Sequence, residues 1–163
     1  MVVDEIIAEV CADLPLEKTG ERSYVVTLPG SHKLKTLVNL IVGEHALRAE
    51  AFVIRQPDEE REKVWEWLLR RNSRLHGVAF TIDAVGDVYL TGRLPLPAVT
   101  ASTLDNLLGA MLEAADESFD VLLELGFSTA IRREWAWRLS RGESTENLKA
   151  FRHLQADGPT SGK

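Results

Sequence analysis

The chain has 163 residues, 19 Lys and Arg against 25 Asp and Glu, and 45% hydrophobic content, which describes one globular unit with a single core and excludes wholesale disorder. Its net charge of −6 argues against a nucleic-acid binder, whose phosphate affinity rests on clustered cations. No apolar run approaches the roughly 20 residues of a membrane span, and the acidic start, Met1 to Glu5, lacks the basic residues of a signal peptide.

Residues 3–14 predict an amphipathic helix, because Val3, Ile6, Ile7, Val10 and Leu14 recur at helical spacing and Pro15 stops the run. Three β-like runs follow, Ser23–Leu28, Leu34–Val42 and Ala46–Arg55, the last two joined by a hairpin at Gly43-Glu44-His45. Pro57-Asp58-Glu59-Glu60 changes the period. Asp58 is the expected N-cap of a helix over 59–75, with Arg70, Arg71 and Arg74 in its last turns. Val78–Asp83 and Val88–Arg93 form a second hairpin around Ala84-Val85-Gly86. Ser102, with Asp105 three residues on, is the expected cap of a long helix that Gly126 stops. Residues 130–141 predict a further helix, Ser144–Leu154 one more, and 157–163 a disordered tail. The order is α-β-β-β-α-β-β-α plus a C-terminal helical extension. With short connections between strands, this predicts an α+β fold: a five-stranded antiparallel sheet, helices 59–75 and 103–126 on one side of it.

Reactive constellations are hard to find. His32, His45, His76 and His153 lie far apart, so no metal site is expected. Gly30-Ser31-His32-Lys33 is a faint phosphate-loop pattern without the second glycine or the following helix, and Ser31 lacks the flanking glycines of a nucleophile elbow. Cys11 sits on an apolar helix edge, where a lone thiol is a small core residue and not a nucleophile; with no partner for a disulfide, it fits a reducing cytoplasm. The acidic face Glu113, Glu117, Asp120, Glu124 reads as a solvated helix surface. Residues 131–139 interleave cations with two tryptophans, among them Arg132, Trp135 and Trp137. That mix anchors partners or lies over a core, and in an acidic chain protein contact leads the functional readings.

The stretches Val78-Ala79-Phe80-Thr81-Ile82-Asp83, Gly86-Asp87-Val88-Tyr89-Leu90 and Leu94-Pro95-Leu96 resemble the second hairpin of YbjN-domain proteins. The run from Leu104-Asp105-Asn106-Leu107-Leu108-Gly109 through Ala114-Ala115-Asp116 to Leu125-Gly126-Phe127 is similar to the helix that follows it there. The likeness covers roughly 1–127, and the Arg, Ala and Leu bias suggests an actinobacterial member. It implies the architecture of type III secretion chaperones over 1–127, with an extension over 128–156. YbjN members are labelled bacterial sensory transduction regulators, and the family offers no catalytic motif or cofactor to carry over.

The expectation is therefore a non-enzymatic, cytoplasmic protein-binding module, chaperone-like or regulatory, holding a segment of a partner protein. A small-ligand sensor or enzyme with a pocket between sheet and helices is the alternative. Neither nucleic acid, membrane, metal nor cofactor is expected. Val64, Trp65, Trp67, Leu68, Leu69 and Leu75 spread over about 200° of helix, whereas packing on one face needs little over 100°. The surplus calls for cover, by the C-terminal helix or by a second copy in a homodimer. Type III secretion chaperones are commonly dimers, which favours the second copy. Trp65, Trp67, Leu69, Arg132, Trp135 and Trp137 are the candidate contact residues.

Overall fold

A computed structural model describes residues 2–156, so the tail expected over 157–163 lies outside the described residues. The chain runs α1 (Val2–Val10), β1 (Leu16–Gly20), β2 (Ser23–Pro29), β3 (Lys35–Val42), β4 (Ala46–Ile54), α2 (Arg61–Asn72), β5 (Val78–Ile82), β6 (Val88–Pro95), α3 (Ala101–Ser140) and α4 (Arg152–Ala156). A 3-10 turn at Glu146–Phe151 leads into α4. The strands make one antiparallel sheet in the order β1-β2-β3-β4-β6-β5.

The alternation read in the strands becomes a two-faced sheet. Val26, Val38, Ala51, Leu90 and Phe80 lie in register across five strands, and every one is buried. On the opposite face Asn39, Arg48 and Thr81 meet solvent. All the cover is on the inner face. The first half of α3 packs across β4, β6 and β5. Trp67 of α2 meets Phe80 edge to face at 6.1 Å, and Tyr24 of β2 donates its hydroxyl hydrogen to Asp4 of α1. The expected placement of both major helices on one side is what the structure has.

The expected five strands are six. β1 pairs with β2 as an edge strand, and of Leu16-Glu17-Lys18-Thr19-Gly20 all but Leu16 are exposed, so no alternation marks it. Lys18 stands opposite Tyr24 with its ammonium 5.8 Å from the ring centroid, a charge on the inner side of an edge that discourages further strand pairing. The other edge is closed differently. The Asn72 side chain accepts from the Phe80 N–H at 2.7 Å and donates to the Phe80 carbonyl at 3.1 Å, standing in for a neighbouring strand. Asn72→Ala strips both bonds and bares the middle of β5. It should lower stability by about 1–2 kcal/mol and raise the aggregation rate in light-scattering time courses; unchanged urea midpoint and aggregation would contradict the edge role.

Helix ends also differ from expectation. Thr100, not Ser102, caps α3: its hydroxyl accepts from the Thr103 N–H at 3.1 Å, and Thr103 returns the bond to the Thr100 N–H at 2.8 Å. Asp58 does not cap α2, because its carboxylate is taken by Arg55 at 2.7 and 3.2 Å; Glu60 holds the cap position in a left-handed conformation, φ 53°.

Gly126 does not stop the long helix, which kinks at Phe127 (φ −140°) and resumes to Ser140. The loop before α2 occupies the kink. The Gly126 carbonyl accepts from the N–H groups of Asp58 at 3.0 Å and Glu59 at 3.2 Å. Glu59 in turn accepts from the Thr129 N–H at 2.7 Å and hydroxyl at 3.1 Å, capping the resumed helix from another part of the chain. A Cβ on Gly126 would stand 3.0 Å from the Cβ of Pro57, so the glycine permits this approach. Beyond Ser140 the expected single helix is the 3-10 turn plus short α4, folded back on α3. Leu148, Phe151 and Leu154 are buried there, and His153 Nε2 lies 2.6 Å from Glu124.

Candidate functional site

The apolar residues of α2 divide by direction. Val64 and Leu68 are buried against the core, and Trp67 is half-buried on Phe80. Trp65 is half-buried and Leu69 is 71% exposed, so the surplus read from the sequence stands open on the surface. Beside it the β5 edge contributes Ile82, 51% exposed. Together Trp65, Leu68, Leu69, Asn72, Phe80 and Ile82 line a concavity of about 340 Å³. No described residue of the C-terminal segment lines it. That segment returns onto α3 as far as Ala156, and among the described residues none covers the exposed side of the α2 strip.

The other three candidates sit beyond the kink and take no part in that concavity. Trp135 is 5% exposed, with its indole Nε1 buried and without a hydrogen-bond partner among the described residues, so this residue is core and leaves the exposed set. Trp137 is 55% exposed, and the Arg141 guanidinium lies 4.7 Å from its ring centroid. Arg132 is exposed.

The loop between β2 and β3 explains the faint phosphate pattern. Its amides do converge on an anion, but the anion is the chain's own. Asp116 Oδ1 on α3 accepts from the N–H groups of Ser31 at 2.8 Å, His32 at 2.7 Å and Lys33 at 3.0 Å. His32 Nδ1 meets Asp120 at 2.7 Å, one turn on. Gly30 is required, since a Cβ there would lie 2.2 Å from the Lys33 carbonyl oxygen and 2.7 Å from Asp116 Oδ1. Burial pushes the Asp116 carboxyl up, but the three N–H bonds outweigh it and hold the group below its usual range.

The pinned loop delivers Lys33 to a second concavity, about 550 Å³, between the end of β4 and the kinked part of α3. The Lys33 ammonium lies 4.8 Å from the centroid of the Phe119 ring, and burial pulls its pKa down. A third hollow, about 530 Å³ between α2 and α3, carries Arg71, Arg74 and His76 together with Asp105, Glu113 and Glu117. Arg71 and Glu117 pair across it. Cys11 is 1% exposed and burial raises its thiol pKa, as a core cysteine requires. No described residues form a group of three or more His, Cys, Asp or Glu suited to a metal. No helix of the described residues is long and apolar enough to cross a membrane.

An antiparallel sheet with its helices on one face is the architecture of type III secretion chaperones. A chain of the ExsC–ExsE complex matches with a TM-score of 0.55 at 19% identity, covering 74% of this chain and 93% of that one. A chain of the ExoU–SpcU complex from the type III secretion system of Pseudomonas aeruginosa matches at 0.54 and 17%, covering 76% and 97%. The structure of the Yersinia pestis type III secretion chaperone SycH with a fragment of YscM2 matches at 0.50 and 18%, covering 69% and 96%. At these identities the likeness shows the fold.

The chain belongs to the YbjN family, whose model, described as "Putative bacterial sensory transduction regulator", matches residues 4–124. An uncharacterized protein of Mycobacterium tuberculosis is 59% identical over 133 residues, 82% of this chain and 73% of that protein. One of Mycobacterium leprae is 51% identical over 145 residues, 87% and 79%. The family read from the second hairpin and long helix is confirmed, and mycobacterial relatives agree with the actinobacterial composition.

Proposed function

We propose that this chain is a non-enzymatic protein-binding module of the cytoplasm, chaperone-like or regulatory, that works as a homodimer and holds a segment of a partner protein. The observation that carries the dimer is the uncovered strip of Trp65, Leu69 and Ile82, with Leu69 71% and Ile82 51% exposed. Asn72 already occupies the backbone groups of Phe80, so a second copy packs there through side chains and not by extending the sheet. Closed two-fold dimers are the commonest assembly, and tryptophan is enriched among interface anchors. The partner-binding reading draws support from the structural neighbours, each of which was solved in complex with another protein. Arg132 and Trp137, both exposed, are proposed as further contact residues in an extension over 128–156.

The test pairs two experiments on the purified chain. Co-purification from lysate with mass spectrometry should retain a reproducible protein partner, and a thermal-shift screen of metabolites and nucleotides should give no stabilisation. Reproducible metabolite stabilisation with no protein retained would overturn the reading in favour of a small-ligand sensor.

A further inference from the structure

The concavity between β4 and the kinked part of α3 differs from the α2 strip in one respect: its apolar walls carry an unbalanced charge. Phe52, Ile54, Phe119, Phe127, Ile131 and Leu148 line it. Three charged side chains also face it, and two are neutralised. Arg55 lies 4.5 Å from the centroid of the Phe127 ring but is paired with Asp58 at 2.7 Å. Glu134 is paired with Arg138 at 2.6 Å. Among the described residues, no carboxylate lies within ion-pair distance of the third, Lys33. On a chain of net charge −6, a half-buried cation facing apolar walls is a specific attraction for one carboxylate.

We propose that this concavity seats the partner protein's segment, which presents apolar side chains beside an Asp or Glu that pairs with Lys33. The inference rests on the partner-binding reading above and names the chemistry of the segment. The Lys33 ammonium is partly desolvated where it stands, so an incoming carboxylate has less of its partner's water to displace. Asp116 fixes the Lys33 backbone, so little loop entropy is lost on binding. The hollow is open to solvent, which suits a peptide lying across it and not an enclosed acyl chain.

The test is selection of a random dodecapeptide phage library on the wild-type chain, followed by fluorescence anisotropy with the enriched peptides. Enriched peptides should carry Asp or Glu beside two or more aliphatic or aromatic residues. They should bind Lys33→Gln at least about tenfold more weakly, a loss of about 1.4 kcal/mol. Lys33→Arg should restore binding, and replacing the peptide's acid by its amide should mimic Lys33→Gln. An unchanged urea midpoint for Lys33→Gln separates lost binding from lost folding. Peptides indifferent to Lys33 would overturn this site while leaving the protein-binding reading intact, and failure to enrich any peptide would overturn the site. Failure to retain any partner from lysate would bring down the wider reading as well. Tighter binding of dodecanoate than of any peptide would make the hollow a lipid site. A fall in the chain's mass with Lys33→Gln would make it an interface between copies. Either result contradicts the proposal.

Discussion

Leu108→Ala should lower stability by about 2–5 kcal/mol, while Glu113→Ala should cost under about 0.5 kcal/mol. Leu108 is 4% exposed on the face of α3 that packs over the sheet, so truncation leaves a cavity that the surrounding strands cannot close. Glu113 lies five residues along the same helix, is exposed, and makes no ion pair among the described residues. Phe119 shares the apolar stripe but is half-buried at the rim of the Lys33 concavity, so Phe119→Ala should fall below Leu108→Ala. Urea midpoints order the three variants, and equal midpoints for Leu108→Ala and Glu113→Ala would refute the assignment of the stripe.

Asp116→Ala should cost about 1–3 kcal/mol, because one ionised oxygen holds three backbone N–H groups and Ala leaves all three to water. The same contact makes stability depend on acid. The Asp116 carboxyl titrates below its unfolded value of about 3.9, so its contribution is complete above that pH and is lost as pH falls through the folded pKa. Asp4, lowered first by the Tyr24 hydrogen bond, and Asp58, lowered first by Arg55, add losses of the same sign. Urea midpoints between about pH 5 and pH 2 should therefore fall for the wild type and fall less for Asp116→Ala. Parallel curves would show that the clasp adds nothing in solution.

Much of this fold is legible in the sequence, because period and punctuation carry it. The alternation of Leu47, Ala49, Ala51 and Val53 marks β4, and the Leu104–Leu122 stripe marks the first half of α3. β1 is hidden because an edge strand with four exposed residues has no buried face to impose a period. The continuation of α3 through Gly126 is hidden because its support is non-local: the atoms that occupy the kink belong to Asp58 and Glu59. The Asp116 clasp joins residues 83 to 85 positions apart, and no spacing rule connects them.

The candidate site was legible in part. An apolar arc on α2 too wide for one packed face points to Leu69, and the structure leaves Leu69 open. Composition treats Trp135 and Trp137 alike, yet Trp135 is 5% and Trp137 55% exposed, a difference that the tertiary packing of α3 decides and composition does not carry. Lys33 carries no signal of its own in the sequence. What marks it out in the structure is its surroundings: a loop fixed by Asp116, an aromatic ring beneath its ammonium, and no carboxylate partner among the described residues.

The claim that the α2 strip is a protein interface, covered by a second copy, is tested most directly by light scattering behind a sizing column at micromolar concentration. The wild-type chain should elute with about twice the 18.2 kDa of one copy, and Leu69→Asp, which places a charge in the strip without touching the core, should elute as a single copy. A wild-type mass of 18.2 kDa across the same concentrations would contradict the dimer and leave the strip without an occupant.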